Sequence, residues 1–93
     1  MATYFMFGTY SPEALREASK ERTEKARQIV KQAGGELRAM YALLGERDLV
    51  FIATFPTVEA AMQASLMLTT ETGISFSTAP ALPVDEFDKL LGE

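Results

Sequence analysis

An α+β fold is predicted by the order of local patterns along the chain. Strand-like and helix-like segments follow one another as βαββαβ, and a turn, Gly45-Glu46-Arg47-Asp48, joins the two middle strands. That order is the split-βαβ or ferredoxin-like plan, a four-stranded antiparallel sheet with helices on one face. A further observation concerns the sheet itself: its first strand is apolar on both sides. The face without helices is therefore expected to have a partner.

The first strand runs from Thr3 to Thr9. Tyr4 and Met6 point to one side, Phe5 and Phe7 to the other. Gly8 interrupts this pattern, as a bulge or as a point of close approach. Ser11-Pro12-Glu13 starts a helix: Ser caps, Pro suits the first helical position and Glu complements the N-terminal dipole. The helical pattern continues to Ala33, with Leu15, Ala18, Arg22, Ala26, Ile29, Val30 and Ala33 near one face. It weakens around Ser19 to Thr23, where a break into a short turn and a main helix is expected. Gly34-Gly35 supplies the helix stop.

Glu36 to Leu44 and Asp48 to Phe55 read as the second and third strands, joined by a short hairpin at Gly45-Glu46-Arg47. Pro56 ends the third strand. Thr57 caps a helix from Val58 to Thr72, with Val58, Ala61, Met62, Ser65, Leu66 and Thr69 expected toward the sheet. Gly73 stops it, and Ile74 to Ala79 forms the last strand. Pro80 and Pro83 mark a rigid extended connection. Asp85 to Leu91 closes the chain as a short helix.

The 93 residues are expected to form one small domain, residues 1–93. No apolar run approaches the roughly 20 residues needed to span a bilayer, so no membrane partner is expected. Met1-Ala2-Thr3-Tyr4 has no basic leader and enters a strand directly, unlike a signal peptide. The chain has no Cys, which excludes disulfides and fits a reducing cytoplasm. The net charge is −4. Its Lys and Arg lie mostly between Arg16 and Arg38, interleaved with Glu, as on a solvated helix. Charge therefore argues against nucleic acid as a partner.

The absences bear on chemistry. The chain has no His, so the commonest general base and transition-metal ligand are missing. No thiolate can hold zinc, and no glycine-rich phosphate loop appears. No cofactor and no metal are expected, and no catalytic residue is assigned. In the Gly45 to Asp48 turn, the structural reading gives Gly45 positive φ and has Asp48 bond the turn amides. The functional reading puts Asp48 and Arg47 at a pocket mouth. The first is preferred, because these residue types dominate turns for backbone reasons.

The candidate ligand-binding residues are Tyr41, Arg38, Asp48 and Tyr4. A Tyr hydroxyl can meet a ligand oxygen, although burying the ring while satisfying its hydroxyl is the ordinary use. A pocket is expected between the sheet and its helices, near Tyr41 and Arg38. Strict alternation puts these two on opposite sides of their strand unless a bulge intervenes. Met62 and Met67 are expected to serve packing or an interface.

Taken together, these residues resemble the GYD-domain family over about Thr3 to Leu91. The likeness rests on the opening Tyr4–Thr9 strand, the charged helix ending in Gly34-Gly35 and the run Tyr41-Ala42-Leu43-Leu44-Gly45-Glu46-Arg47-Asp48-Leu49-Val50. It continues through Pro56, the Ala-rich second helix and the terminal Asp-Glu-Phe segment. Gly45 and Asp48 match the family's Gly-x-Tyr-Asp motif, while Arg47 stands where Tyr is usual. The resemblance implies a dimeric α/β-barrel type of ferredoxin-like fold, usually bacterial, and implies no activity.

The leading reading is a non-enzymatic or functionally unassigned domain, a homodimer or larger homo-oligomer, with a small apolar or amphipathic molecule as its expected ligand. The alternative is a small cofactor-independent enzyme, monooxygenase- or isomerase-like, using Tyr41, Arg38 and Asp48 as acid/base and orienting groups. The third is a purely structural interaction module.

Overall fold

The structure, a computed structural model, describes residues 1–92. Its elements are β1 (Ala2–Thr9), α1 (Pro12–Arg16), α2 (Lys20–Gln32), β2 (Glu36–Ala42), β3 (Leu49–Phe55), α3 (Val58–Thr72), β4 (Ser75–Ala81) and α4 (Val84–Leu90). The four strands form one sheet in the order β2-β3-β1-β4, and every neighbouring pair is antiparallel. The α1–α2 connection passes over β3, and α3 passes over β1. This is the ferredoxin-like plan that the sequence predicts.

The helices α2 and α3 cover one face. Tyr4 and Met6 of β1 and Phe51, Ala53 and Phe55 of β3 meet Ala26, Ile29 and Val30 of α2 and Ala61, Ala64 and Leu68 of α3. Tyr4 and Phe55 pack edge to face with centroids 5.7 Å apart. Each large side chain in this layer contributes about 1.5–3 kcal/mol by leaving water. Lys25 Nζ lies 2.9 Å from Glu71 Oε2, tying the two helices at their exposed rim.

The first helical region is broken, as its weakening pattern predicts. Ser11 Oγ accepts from the Ala14 amide and Ser19 Oγ from the Arg22 amide, so each segment has its own cap. Arg22 spans the break: its Nη1 donates to the Ala14 carbonyl and its guanidinium lies 5.4 Å from the Tyr10 ring centroid. The break shifts the phase of the short helix, so Ala14 is buried and Leu15 is exposed, the reverse of the expected face. At the end of α2, the Gly35 amide donates to the Val30 carbonyl and the Gly34 amide to that of Lys31. Gly34, at φ 85°, gives this double closure its left-handed residue.

Two boundaries differ from expectation by more than one residue, and one helix face differs as well. First, β2 ends at Ala42, and residues 43–48 form a longer connection than a tight hairpin. The Asp48 amide donates to the Gly8 carbonyl at 3.0 Å, which draws the loop toward β1. Second, β4 continues through Pro80 to Ala81. An edge strand tolerates a residue without an amide hydrogen. Third, the inner face of α3 is made by Ala61, Ala64, Leu68 and Thr72, while Val58, Met62 and Leu66 are exposed. Alanines let the helix sit close to the sheet, and the bulkier stripe turns outward.

Close approach also explains two glycines. A Cβ on Gly8 would lie 3.1 Å from Ile74 Cγ2 and 3.2 Å from Phe76 Cε1, and β1 keeps regular register there without a bulge. A Cβ on Gly35 would lie 2.6 Å from Phe55 Cδ1 and 2.7 Å from the Thr54 carbonyl oxygen. Gly35→Ala is therefore expected to cost about 1–3 kcal/mol by urea denaturation, because a core ring and a strand must both shift. A midpoint equal to wild type would show that the α2–β2 junction relaxes freely.

Candidate functional site

Between α3 and the edge strand β4 lies an open groove of about 380 Å³. Val58, Met62 and Leu66 form one wall, and Thr78 and Pro80 of β4 form the other. The wall residues recur every four positions, so the stripe extends about 12 Å along the helix. Tyr4 and Ala61 lie between the walls, beside Ser65. Thr78 Oγ1 donates to Ser65 Oγ at 3.0 Å, which leaves the Ser65 proton free to donate. No charged side chain lines the groove.

Tyr4 is its deepest polar group. The residue is 5% exposed, held by the Phe55 contact and by the β1 ladders. Among the described residues its hydroxyl has no hydrogen-bond partner, yet it is not sealed from solvent. Tyr4 is among the residues that line the groove. A hydroxyl held this way in a mostly apolar cleft is the kind of placed polar group that orients a ligand. The sequence names Tyr4 for this role but not its neighbours. Their signal was the Val58-Met62-Leu66 repeat, which fits a core stripe equally well.

The other predicted site residues lie elsewhere and do not converge. Tyr41 registers against Val50, on the face without helices, and is 58% exposed. The expected pocket beside it, between sheet and helices, is not there. The helix side of β2 is taken by Leu37 and Met40, which pair with Ala53 and Phe51 of the core. A bulge between Leu37 and Ala39 inserts Arg38 as an extra residue. Arg38 Nη2 lies 2.9 Å from Glu36 Oε2, and Glu36 registers against Thr54 on the open face. The bulge thus brings Arg38 to the same side as Tyr41. A second cavity at the other end of the helices, lined by Tyr10, Arg22, Phe51 and Phe76, holds only about 50 Å³, which suits water rather than a ligand.

Asp48 acts at long range. Its Oδ2 accepts from the Tyr10 amide at 2.8 Å, across 38 residues. With the Asp48 amide on the Gly8 carbonyl, one residue fastens the β2–β3 loop to the end of β1. The expected bonds to amides of its own turn are replaced by this cross-link. Gly45 has φ 135°, a conformation open to glycine. Arg47 places its guanidinium 5.8 Å from the Phe7 ring centroid, over the open face.

A protein-family model described as the GYD domain matches residues 4–91. The chain belongs to the GYD-domain family. Within this GYD domain, Gly45 and Asp48 of the family motif are thus a turn residue and a cross-link, and Arg47 covers an aromatic ring. Among solved structures, this GYD domain is similar to the crystal structure of the Mycobacterium tuberculosis leucine response regulatory protein LrpA. The TM-score is 0.61 and the identity 14%, over 88% of this chain and 51% of that one. The chain spans about half the length of that protein, and the likeness concerns the fold. No curated protein sequence gives a significant match. Among the described residues, no cluster of three or more acidic side chains could hold a metal ion, and no helix is long and apolar enough to cross a membrane.

Removing the cross-link tests its role. Asp48→Ala is expected to cost about 1–3 kcal/mol of stability, because it leaves the half-buried Tyr10 amide unpaired. Asp48→Asn keeps an acceptor and should retain most of that stability. Glu46→Ala, on an exposed turn position, should stay within about 0.5 kcal/mol of wild type. Equal urea midpoints for Asp48→Ala and Glu46→Ala would remove Asp48 from the role assigned to it.

Proposed function

We propose that this GYD domain is a homo-oligomer, a homodimer in its smallest form, that binds a small apolar or amphipathic ligand without turning it over. The observation that carries the binding reading is Tyr4, a 5%-exposed residue that lines an apolar groove and whose hydroxyl has no hydrogen-bond partner among the described residues. Catalysis by the predicted trio has no such support. Asp48 is engaged with the Tyr10 amide, Arg38 with Glu36, and Tyr41 stands apart on the other face of the sheet from the groove. A bacterial cytoplasmic setting agrees with the family and with the absence of Cys.

The assembly reading rests on the face without helices. Phe5 and Phe7 stand there with centroids 6.2 Å apart, flanked in register by Val50 and Ile52. Phe5 and Phe7 are half-buried, Phe7 beneath the Arg47 guanidinium, and both lie outside the core cluster in which α2 and α3 cover Met6. The C-terminal helix α4 adds to the argument, since it buries none of its residues and leaves Val84, Phe87 and Leu90 exposed. A helix of seven residues is marginal in water unless something packs on it. The radius of gyration, 14.0 Å, exceeds the about 12 Å typical of this length. A second copy set against the open face supplies cover for apolar area of this kind, and a stable pair buries more than about 1,000 Å².

Light scattering at micromolar concentration is expected to report at least a dimer for wild type. Phe7→Glu should give a monomer with an unchanged circular dichroism spectrum. A monomeric wild type would refute the assembly. For the binding reading, native mass spectrometry against a metabolite extract should find a small molecule on wild type. That adduct should be lost in Leu66→Glu, whose side chain is exposed in the groove wall. An adduct equally abundant in both would place the ligand elsewhere.

A further inference from the structure

The groove's chemistry narrows what it can hold. We infer that its ligand is an uncharged, chain-like molecule carrying a single hydrogen-bonding oxygen, of the class of a medium-length aliphatic alcohol, aldehyde or ketone. This rests on the binding reading above and goes further by fixing charge, shape and the point of polar contact.

Charge follows from the lining. No Asp, Glu, Lys or Arg side chain contributes to the groove. An ion entering it would shed part of its hydration and meet no counter-charge, a loss that apolar walls cannot offset. A carboxylate, an ammonium group or a zwitterion is therefore disfavoured at both ends of the groove alike.

Shape follows from α3. Val58, Met62 and Leu66 make a straight apolar wall about 12 Å long, and Pro80 faces it from β4. Such a slot suits an extended chain better than a fused ring system. Met62, 59% exposed, is an unbranched thioether that can settle along a chain of either thickness. The volume of about 380 Å³ lies within the range of about 300–1,000 Å³ usual for small-ligand sites.

The polar contact is Tyr4. Its ring is fixed by Phe55, so its hydroxyl is presented without freedom to seek another partner. A hydroxyl both donates and accepts, so it suits an alcohol or a carbonyl oxygen equally. The Ser65–Thr78 pair lies in the same groove and offers a second donor to a ligand with an oxygen at that end. Tyr4 is thus a specificity-determining residue: it selects an oxygen-bearing chain over a plain hydrocarbon.

Isotope-labelled protein titrated by NMR with octanol, octane, octanoate and octylammonium separates these claims. Octanol is expected to perturb the amides of Ala61, Met62, Ser65 and Thr78 and to bind about fivefold tighter than octane. Octanoate and octylammonium should bind at least tenfold more weakly than octanol. Tyr4→Phe keeps the ring and its packing, so it should leave octane affinity unchanged and abolish the preference for octanol. Octanoate or octylammonium binding as tightly as octanol would overturn the uncharged class while leaving the groove as a binding site. A preference for octanol that survives in Tyr4→Phe would overturn the role of Tyr4. If none of the probes perturbs these amides, or if they respond only to protein concentration because a second copy occupies the groove, the inference falls together with the binding reading.

Discussion

In a pleated strand, neighbouring side chains must leave opposite faces of the sheet, and β1 carries bulk on both. It is a central strand, hydrogen-bonded to β3 on one side and β4 on the other. Tyr4 and Met6 form the floor on which α2 and α3 rest. Phe5 and Phe7 necessarily stand on the reverse. Among the described residues, α2 and α3 cover the face that carries Met6, while Phe5 and Phe7 on the other face stay half-buried. The core, the open face and the argument for a second copy all descend from that alternation. The groove does too, because Tyr4 belongs to the same strand and reaches toward its margin.

The cross-link from Asp48 gives the family motif a mechanical meaning. A turn residue would ordinarily settle the amides next to it. Here the turn instead closes on the amide of Tyr10, just past the end of β1. Two connections that are distant in sequence are thereby held at one end of the sheet. Gly45 lets the chain reach that geometry, and Arg47 lies over Phe7 from the same loop. The motif is best understood as the fastening of a loop, which is consistent with its lying at the opposite end of β1 from Tyr4 and the groove.

What the sequence made legible was punctuation and order. Ser11 and Thr57 act as caps, and Gly34 closes its helix, because each works through local backbone bonds; that Ser19 caps the second segment was not read from the sequence. Strand order follows from the βαββαβ pattern. The inner face of α3 was not legible, since that helix carries apolar residues on two adjacent stripes and periodicity alone favours the larger ones. Ala61 and Ala64 won because closeness to the sheet matters more than bulk. Tyr41 was misplaced because its neighbourhood depends on the register of β2 against β3. The bulge at Arg38 was weighed as a condition, yet only the pairing reveals where the extra residue falls. The groove was not legible: Tyr4 was named as a ligand candidate, but the pocket was expected near Tyr41 and Arg38, and the pairing of α3 with β4 needed the third dimension.

That bulge has a consequence for how copies of this chain can meet. The sheet has two outer strands, β2 and β4, and each could in principle recruit another strand through its free amides and carbonyls. The irregularity at Arg38 twists one rim and puts a cation there, while Pro80 removes a donor from the other. Both rims are thereby poor templates for strand addition. Edge-to-edge growth is disfavoured at either side, and the assembly proposed above rests on the apolar face of the sheet instead of on its rims.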